Sequence, residues 1–379
     1  MKKSNYRIVL SRGVSTYLVL VYLAISIGVA LQISGSNWDI VWHGIRNVES
    51  FFTPPHLVIY LGVALAIGSI ILGIIISILF EHKNGLKSIS LSSLRRWSII
   101  IPFSLKLAVI GSLLQLTAGP FDFWWHNQFG FDGLLSPPHS VLATGMLMVA
   151  LGALIGVYRL KRDNNNKSVF SNLCLVVAFA VFLMVAVGMV LMFTLPFSKG
   201  QYFDFNPNPL AAAVTASILI PFLLGVCLLS AVRVSYMPFM ITSITATIML
   251  IQSTTTIISN SYFVGVFPFY VLNIFPAMLA DIILQYRKGE GITMLPPSNI
   301  TIKRCMVASL IVPLFFTTLF FPWSVDVYGG FLKPSNNIRT EIFFIQLLMP
   351  VIIPIVIPLA AVSASAGEYI LLKLLSAKN

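Results

Sequence analysis

The chain has 379 residues, 57% of them apolar and only 9% charged, with a mean hydropathy of +0.91. A soluble domain averages about 45–50% apolar and about 25% charged residues, so a soluble globular protein is excluded. The net charge is +12, but the Lys and Arg residues sit in short segments between apolar runs, which assigns the excess to membrane topology and not to nucleic acid.

The apolar runs are roughly 18–25 residues long, the length that crosses a ~30 Å hydrocarbon core as helix. They lack the alternation, in segments of about ten residues, of an outer-membrane barrel. The prediction is an all-α, polytopic helical bundle with about ten membrane spans, at 14–33, 56–80, 98–118, 139–158, 169–195, 209–232, 238–258, 264–285, 305–322 and 342–372. Proline marks many span ends: Pro54-Pro55, Pro137-Pro138, Pro196, Pro209, Pro238 and Pro322. Pro350, Pro354 and Pro358 predict a kink or break in the last run. With the N-terminus inside, the inner segments carry 19 Lys and Arg residues and the outer ones 4, while Lys106 lies in a span and snorkels inward. This predicts a multi-pass protein of the cell membrane with both termini cytoplasmic. The basic start followed by an apolar run resembles a signal peptide, but the repeat described next argues that it is retained. Cys174, Cys227 and Cys305 are far apart and read as buried thiols.

A shift of 83 residues superimposes the N-terminal region on itself. Gly28 falls on Gly111, Gln32 on Gln115, Asp39 on Asp122, Trp42 on Trp125 and His43 on His126. Glu49 falls on Asp132, and Thr53-Pro54-Pro55-His56 on Ser136-Pro137-Pro138-His139. Four of the five histidines belong to this pattern. It predicts a duplicated helical hairpin over 1–160, in parallel orientation, followed by a six-helix region over 161–379.

The spacing suits a metal. Asp39 and His43, four apart, share a face if the first helix extends that far, and the Pro-Pro pair starts the second helix with His56 in its first turn. The same holds for Asp122, His126 and His139. Each hairpin is expected to hold one ion by two imidazoles and a carboxylate; a single dinuclear centre built from both is the alternative. Zinc, copper and iron(II) all accept such a set, and copper(II) leads by affinity. Gln32 and Gln115 either orient the ligands or bond neighbouring helices. Glu49 and Asp132 are turn acids or auxiliary ligands. Against metal binding stand a helix-capping role for Asp39 and Asp122, interfacial placement of the histidines beside Trp, and a proton relay. A fainter echo, Phe203-Asp204-Phe205 with Asn208, reads as a decayed copy; His82 reads as solvated in an inner loop. The polar run Gln252 to Thr256 lines a cavity or bonds helices.

The pattern D-x3-H-x12-H resembles the copper-ligand motif in the C subunit of the particulate methane and ammonia monooxygenases. The matching positions are Asp39, His43 and His56, and Asp122, His126 and His139. The resemblance implies copper held within the transmembrane region and membership of an oxidoreductase with other membrane subunits. The chain has no nucleotide-binding P-loop, serine-nucleophile elbow, H-E-x-x-H or C-x-x-C-H motif. Three functions compete: a copper oxidoreductase or its subunit acting on a small molecule, a copper acquisition or delivery protein, and a proton-coupled transporter.

Overall fold

The computed structural model describes residues 12–46, 51–83, 101–130, 135–163, 168–193, 209–235, 237–259, 271, 274–287, 291–292, 369–370 and 373. The elements in chain order are α1 (Arg12–Arg46), α2 (Pro54–Lys83), α3 (Phe103–Phe129), α4 (Pro137–Asp163), α5 (Val169–Met192), α6 (Pro209–Val234), α7 (Met240–Ser259) and α8 (Ile274–Gln285). A two-residue antiparallel ladder, β1 (Tyr286–Arg287) with β2 (Gly291–Ile292), follows α8. Six helices among the described residues, α1 to α5 and α7, are long and apolar enough to cross a membrane. The apolar stretches of α6 and α8 there are shorter, Ile218–Val232 and Ile274–Leu284. The span expected at 305–322 lies outside the described residues, as do residues 342–368 of the span expected at 342–372, and Cys305, Glu49, Asp132, Asp204 and Asn208.

The hairpins repeat in structure as in sequence. α1 and α3 end at the matching residues Arg46 and Phe129, and α2 and α4 begin at the matching Pro54 and Pro137. In each pair the helices cross at matching glycines. A Cβ on Gly62 would stand 2.5 Å from the Gly28 carbonyl oxygen, and one on Gly145 would stand 2.6 Å from that of Gly111. No side chain fits there, so the backbones approach as small-residue crossings in membranes do. Gln32 and Gln115 lie over these crossings, their Cγ atoms 2.8 Å from the positions a Cβ would take on Gly62 and Gly145.

The hairpins also pack on each other reciprocally, α1 on α4 and α2 on α3. Gly156 of α4 makes room for the Tyr22 ring of α1, and Gly73 of α2 makes room for Leu105 of α3. Tyr22 and Leu105 are equivalent in the repeat, as are Gly73 and Gly156, so the contacts exchange as they do across a two-fold axis. α5 then packs on both α4 and α1, and α7 on α1 and α5. Tyr22, Ile25, Leu154, Leu175 and Phe179 form the centre of the resulting core.

Two span boundaries differ from expectation. α1 continues to Arg46, well past residue 33, and α3 runs through Pro120 to Phe129. Hydropathy marks only the lipid-embedded part of a helix, whereas the helix itself continues into the interfacial zone until a turn residue ends it. His82 belongs to the backbone of α2 and not to a loop. In the polar run of α7, the Thr254 and Thr255 hydroxyls donate to carbonyls of their own helix, Leu250 and Ile251, which satisfies them without a cavity.

Candidate metal centre

The second hairpin shows how local chemistry builds the site. Ser136 caps α4: its Oγ accepts from the His139 backbone N–H at 3.3 Å and its carbonyl accepts from Ser140 N at 2.9 Å. Pro137 and Pro138 occupy the first two helical positions, where a backbone N–H would have no partner. The histidine therefore stands third in the helix, at the bundle end where α3 stops. Asp122 and His126 lie one turn apart on α3 and point to the same place.

There the three side chains converge. Asp122 Oδ1 lies 3.4 Å from His126 Nε2 and 3.2 Å from His139 Nε2. One ligand atom from each of the three residues falls within 4.8 Å of the others. The side chains are 26%, 13% and 24% exposed, so the group is neither sealed nor open to bulk water. Glycine decides the orientation of one ring. Gly130 ends α3 with φ 71°, a conformation that disfavours other residues, and its carbonyl oxygen meets His126 Nδ1 at 3.2 Å. A carbonyl only accepts, so Nδ1 carries the proton and Nε2 of a neutral His126 presents a lone pair.

That lone pair faces a carboxylate oxygen. Asp122 Oδ1 is buried and has no hydrogen-bond partner of good geometry among the described residues, though two imidazole nitrogens stand close to it. An imidazole proton or a cation between these atoms satisfies the arrangement; the three groups together offer a set that can hold a metal ion, and the α3 C-terminus adds its partial negative charge. The ring cluster of Phe121, Trp124, Trp125 and Phe129 surrounds this end of α3, with Trp125 and Phe129 centroids 4.4 Å apart. Half-exposed Trp124 and Phe123 give this end of α3 the composition of an interfacial aromatic belt.

In the first hairpin, Asp39 Oδ1 lies 3.3 Å from His56 Nε2, the two side chains 18% and 21% exposed. His43 sits on α1 one turn after Asp39; its side chain is outside the described residues. Gln32 and Gln115 are almost fully buried, with no hydrogen-bond partner for either amide atom among the described residues. They stand two turns before Asp39 and Asp122 along their helices, at the helix crossings.

Comparison with known protein families, curated proteins and solved structures returns no match. The site must therefore be argued from its own atoms. Two residues were absent from the sequence reading. Tyr60, one turn after His56, breaks the repeat: its counterpart is Ala143. The break itself is the signal that marks it. Asp281 of α8 is fully buried and receives Ile241 N at 3.2 Å, Thr242 N at 2.8 Å and the Thr242 hydroxyl at 2.8 Å. It caps the N-terminus of α7 from a neighbouring helix, which accounts for a carboxylate at that depth. No spacing rule within one helix would find it.

Proposed function

We propose that this chain is a multi-pass metalloprotein of the cell membrane. Asp39, His43 and His56, and Asp122, His126 and His139, hold metal ions, copper before zinc or iron(II). The observation that carries the reading is the convergence of Asp122, His126 and His139, with one ligand atom from each within 4.8 Å of the others. Imidazole-rich sites without thiolate prefer copper(II) among divalent first-row ions. The resemblance to the copper monooxygenase subunit motif favours the same metal and an oxidoreductase role with other membrane subunits. The distribution of basic residues supports ten spans, cytoplasmic termini and both sets at the outer face.

The residues have separable tasks. His126 and His139 supply lone pairs, Asp122 supplies charge, Gly130 holds the His126 tautomer, and the aromatic cluster limits water. Copper bound in this way supplies one-electron chemistry and an open position for a small molecule. A second reading, copper acquisition or delivery, is favoured by the partial exposure of all three ligands, which leaves a route for exchange.

Elemental analysis of the purified protein, with electron paramagnetic resonance after oxidation, tests the reading. Copper in stoichiometric amount that drops in the Asp122→Ala/His126→Ala double variant supports it. Stoichiometric zinc that resists reconstitution with excess copper removes the redox role. Labelling intact cells that carry Gly133→Cys tests the orientation; reaction only after the membrane is opened inverts it.

A further inference from the structure

The end of α4 opposite the Asp/His group carries a buried cation. Lys161 stands about 33 Å beyond His139 along α4, at 1.5 Å per residue, close to the ~30 Å thickness of a hydrocarbon core. The two residues therefore mark opposite ends of the bundle. Three cations at the Lys161 end behave differently. Arg159 lies over the Phe103 ring and Arg162 over that of Tyr158, each guanidinium 5.8 Å from the ring centroid. Lys161 turns inward instead: it is 5% exposed, and its Nζ donates to Asn172 Oδ1 of α5. Among the described residues this neutral amide is its one partner. The described carboxylates are engaged elsewhere, Asp39 and Asp122 beside histidines and Asp281 at the α7 N-terminus.

The surroundings of Lys161 add donors and no negative charge. Ser171 and Asn172 belong to the start of α5, whose N-terminus carries a partial positive charge. Ser168 caps that end: its Oγ accepts from Ser171 N and its carbonyl from Asn172 N, both at 3.2 Å. The Ser171 hydroxyl is buried, at 1% exposure, and has no hydrogen-bond partner among the described residues. An ammonium with N–H groups to spare, an unpartnered hydroxyl and a helix N-terminus thus share one end of the α4–α5 pair. A buried charge is costly unless an opposite charge and hydrogen-bond acceptors reach it. A phosphate oxyanion supplies both, and the headgroup layer at a bundle end is rich in it.

We propose that Lys161, Ser171 and Asn172 form a phosphate-binding site at this end of the bundle, filled by the headgroup of an anionic phospholipid. A free phosphate ion offers the same chemistry, and the test separates the two sources. The site stands on different atoms from the metal reading and does not depend on it.

The test follows thermal unfolding of the full-length chain, purified and delipidated in neutral detergent. Phosphatidylglycerol in mixed micelles is expected to raise the melting temperature of the wild type in step with its mole fraction; phosphatidylcholine, of no net charge, is expected to leave it unchanged. Lys161→Met, similar in length but uncharged, should lose that shift. In phosphatidylcholine it should be at least as stable as the wild type, because it buries no uncompensated charge. Ser171→Ala should keep the shift but require about tenfold more phosphatidylglycerol. Inorganic phosphate that gives the shift without lipid, again lost in Lys161→Met, supports the site and assigns it to the free ion. No shift with either probe, or equal shifts in the wild type and Lys161→Met, would overturn the site. If Lys161→Met does not fold, native mass spectrometry of the other two proteins decides. Phosphatidylglycerol retained by the wild type and depleted in Ser171→Ala supports the site, and equal retention overturns it.

Discussion

In the first hairpin α1 is largely buried and α2 largely exposed along its apolar length; in the second, α3 is the exposed helix and α4 the buried one. Equivalent helices therefore have opposite surroundings. Val19, Ile25 and Val29 of α1 enter the core, while Ile110, Leu113 and Leu116 of α3 face outward. The cause lies outside the repeat: α5 and α7 cover α1, and α5 covers α4, leaving α2 and α3 at the periphery. What survives the difference is the crossing geometry and the ligand spacing. The duplication preserved the parts that set backbone distances and the Asp/His spacing, while the lipid-facing and core-facing surfaces diverged.

The largest effect should come from filling the crossings. Gly62→Val and Gly145→Val each press a side chain against a backbone carbonyl that cannot swing aside. A cost of about 3 kcal/mol or more is expected for each, read as loss of folded protein in detergent. Equal losses would sharpen the equivalence of the hairpins; a tolerated Gly145→Val would break it. Gly68→Ala, where nothing lies within 4 Å, serves as the contrast and should not destabilise.

Next come the ligands. His56→Ala and His139→Ala should each remove about half of the bound copper, by elemental analysis, if each hairpin supplies one ion. Unequal losses would show that one copy has drifted from metal binding. Ligand imidazoles must be deprotonated, so occupancy should fall as pH drops through the free-histidine range near 6.5, in parallel for both hairpins.

A subtler asymmetry is expected at the interface between hairpins. A Cβ on Gly156 would stand 2.3 Å from the Tyr22 ring, whereas one on Gly73 would meet the Val21 and Leu105 side chains at 2.9 and 3.2 Å. Gly156→Ala should cost about 1–3 kcal/mol in thermal unfolding and Gly73→Ala less, because aliphatic ends yield and a packed ring does not. The smallest effect concerns the caps. Ser136 Oγ is engaged with His139 N, but Thr53 Oγ1 has no hydrogen bond among the described residues. Ser136→Ala should cost about 1 kcal/mol and Thr53→Ala measurably less, by the same melting assay.

The helical membrane class, the repeat and its Asp/His constellation were legible in the sequence for direct reasons. Burial in lipid demands long apolar helices, and a duplicated constellation of rare residues exposes itself by its offset. The helix ends were less legible. Residues 34–46 are too polar for a hydropathy window, yet nothing in them stops a helix. Asp281 was invisible for another reason: it acts on a partner from a different helix, some 40 residues from the donors it caps.

By itself, then, the sequence determined composition-driven insertion, the two-copy plan and the spacing of Asp and His along each helix, all consequences of local periodicity and of the solvent. Only the tertiary structure decided that Gly28 meets Gly62, that Gly156 receives Tyr22, and that Asp122 Oδ1 stands between two imidazoles. Those facts depend on the distance and rotation at which helices cross. Close packing in three dimensions sets both, and no one-dimensional period encodes either.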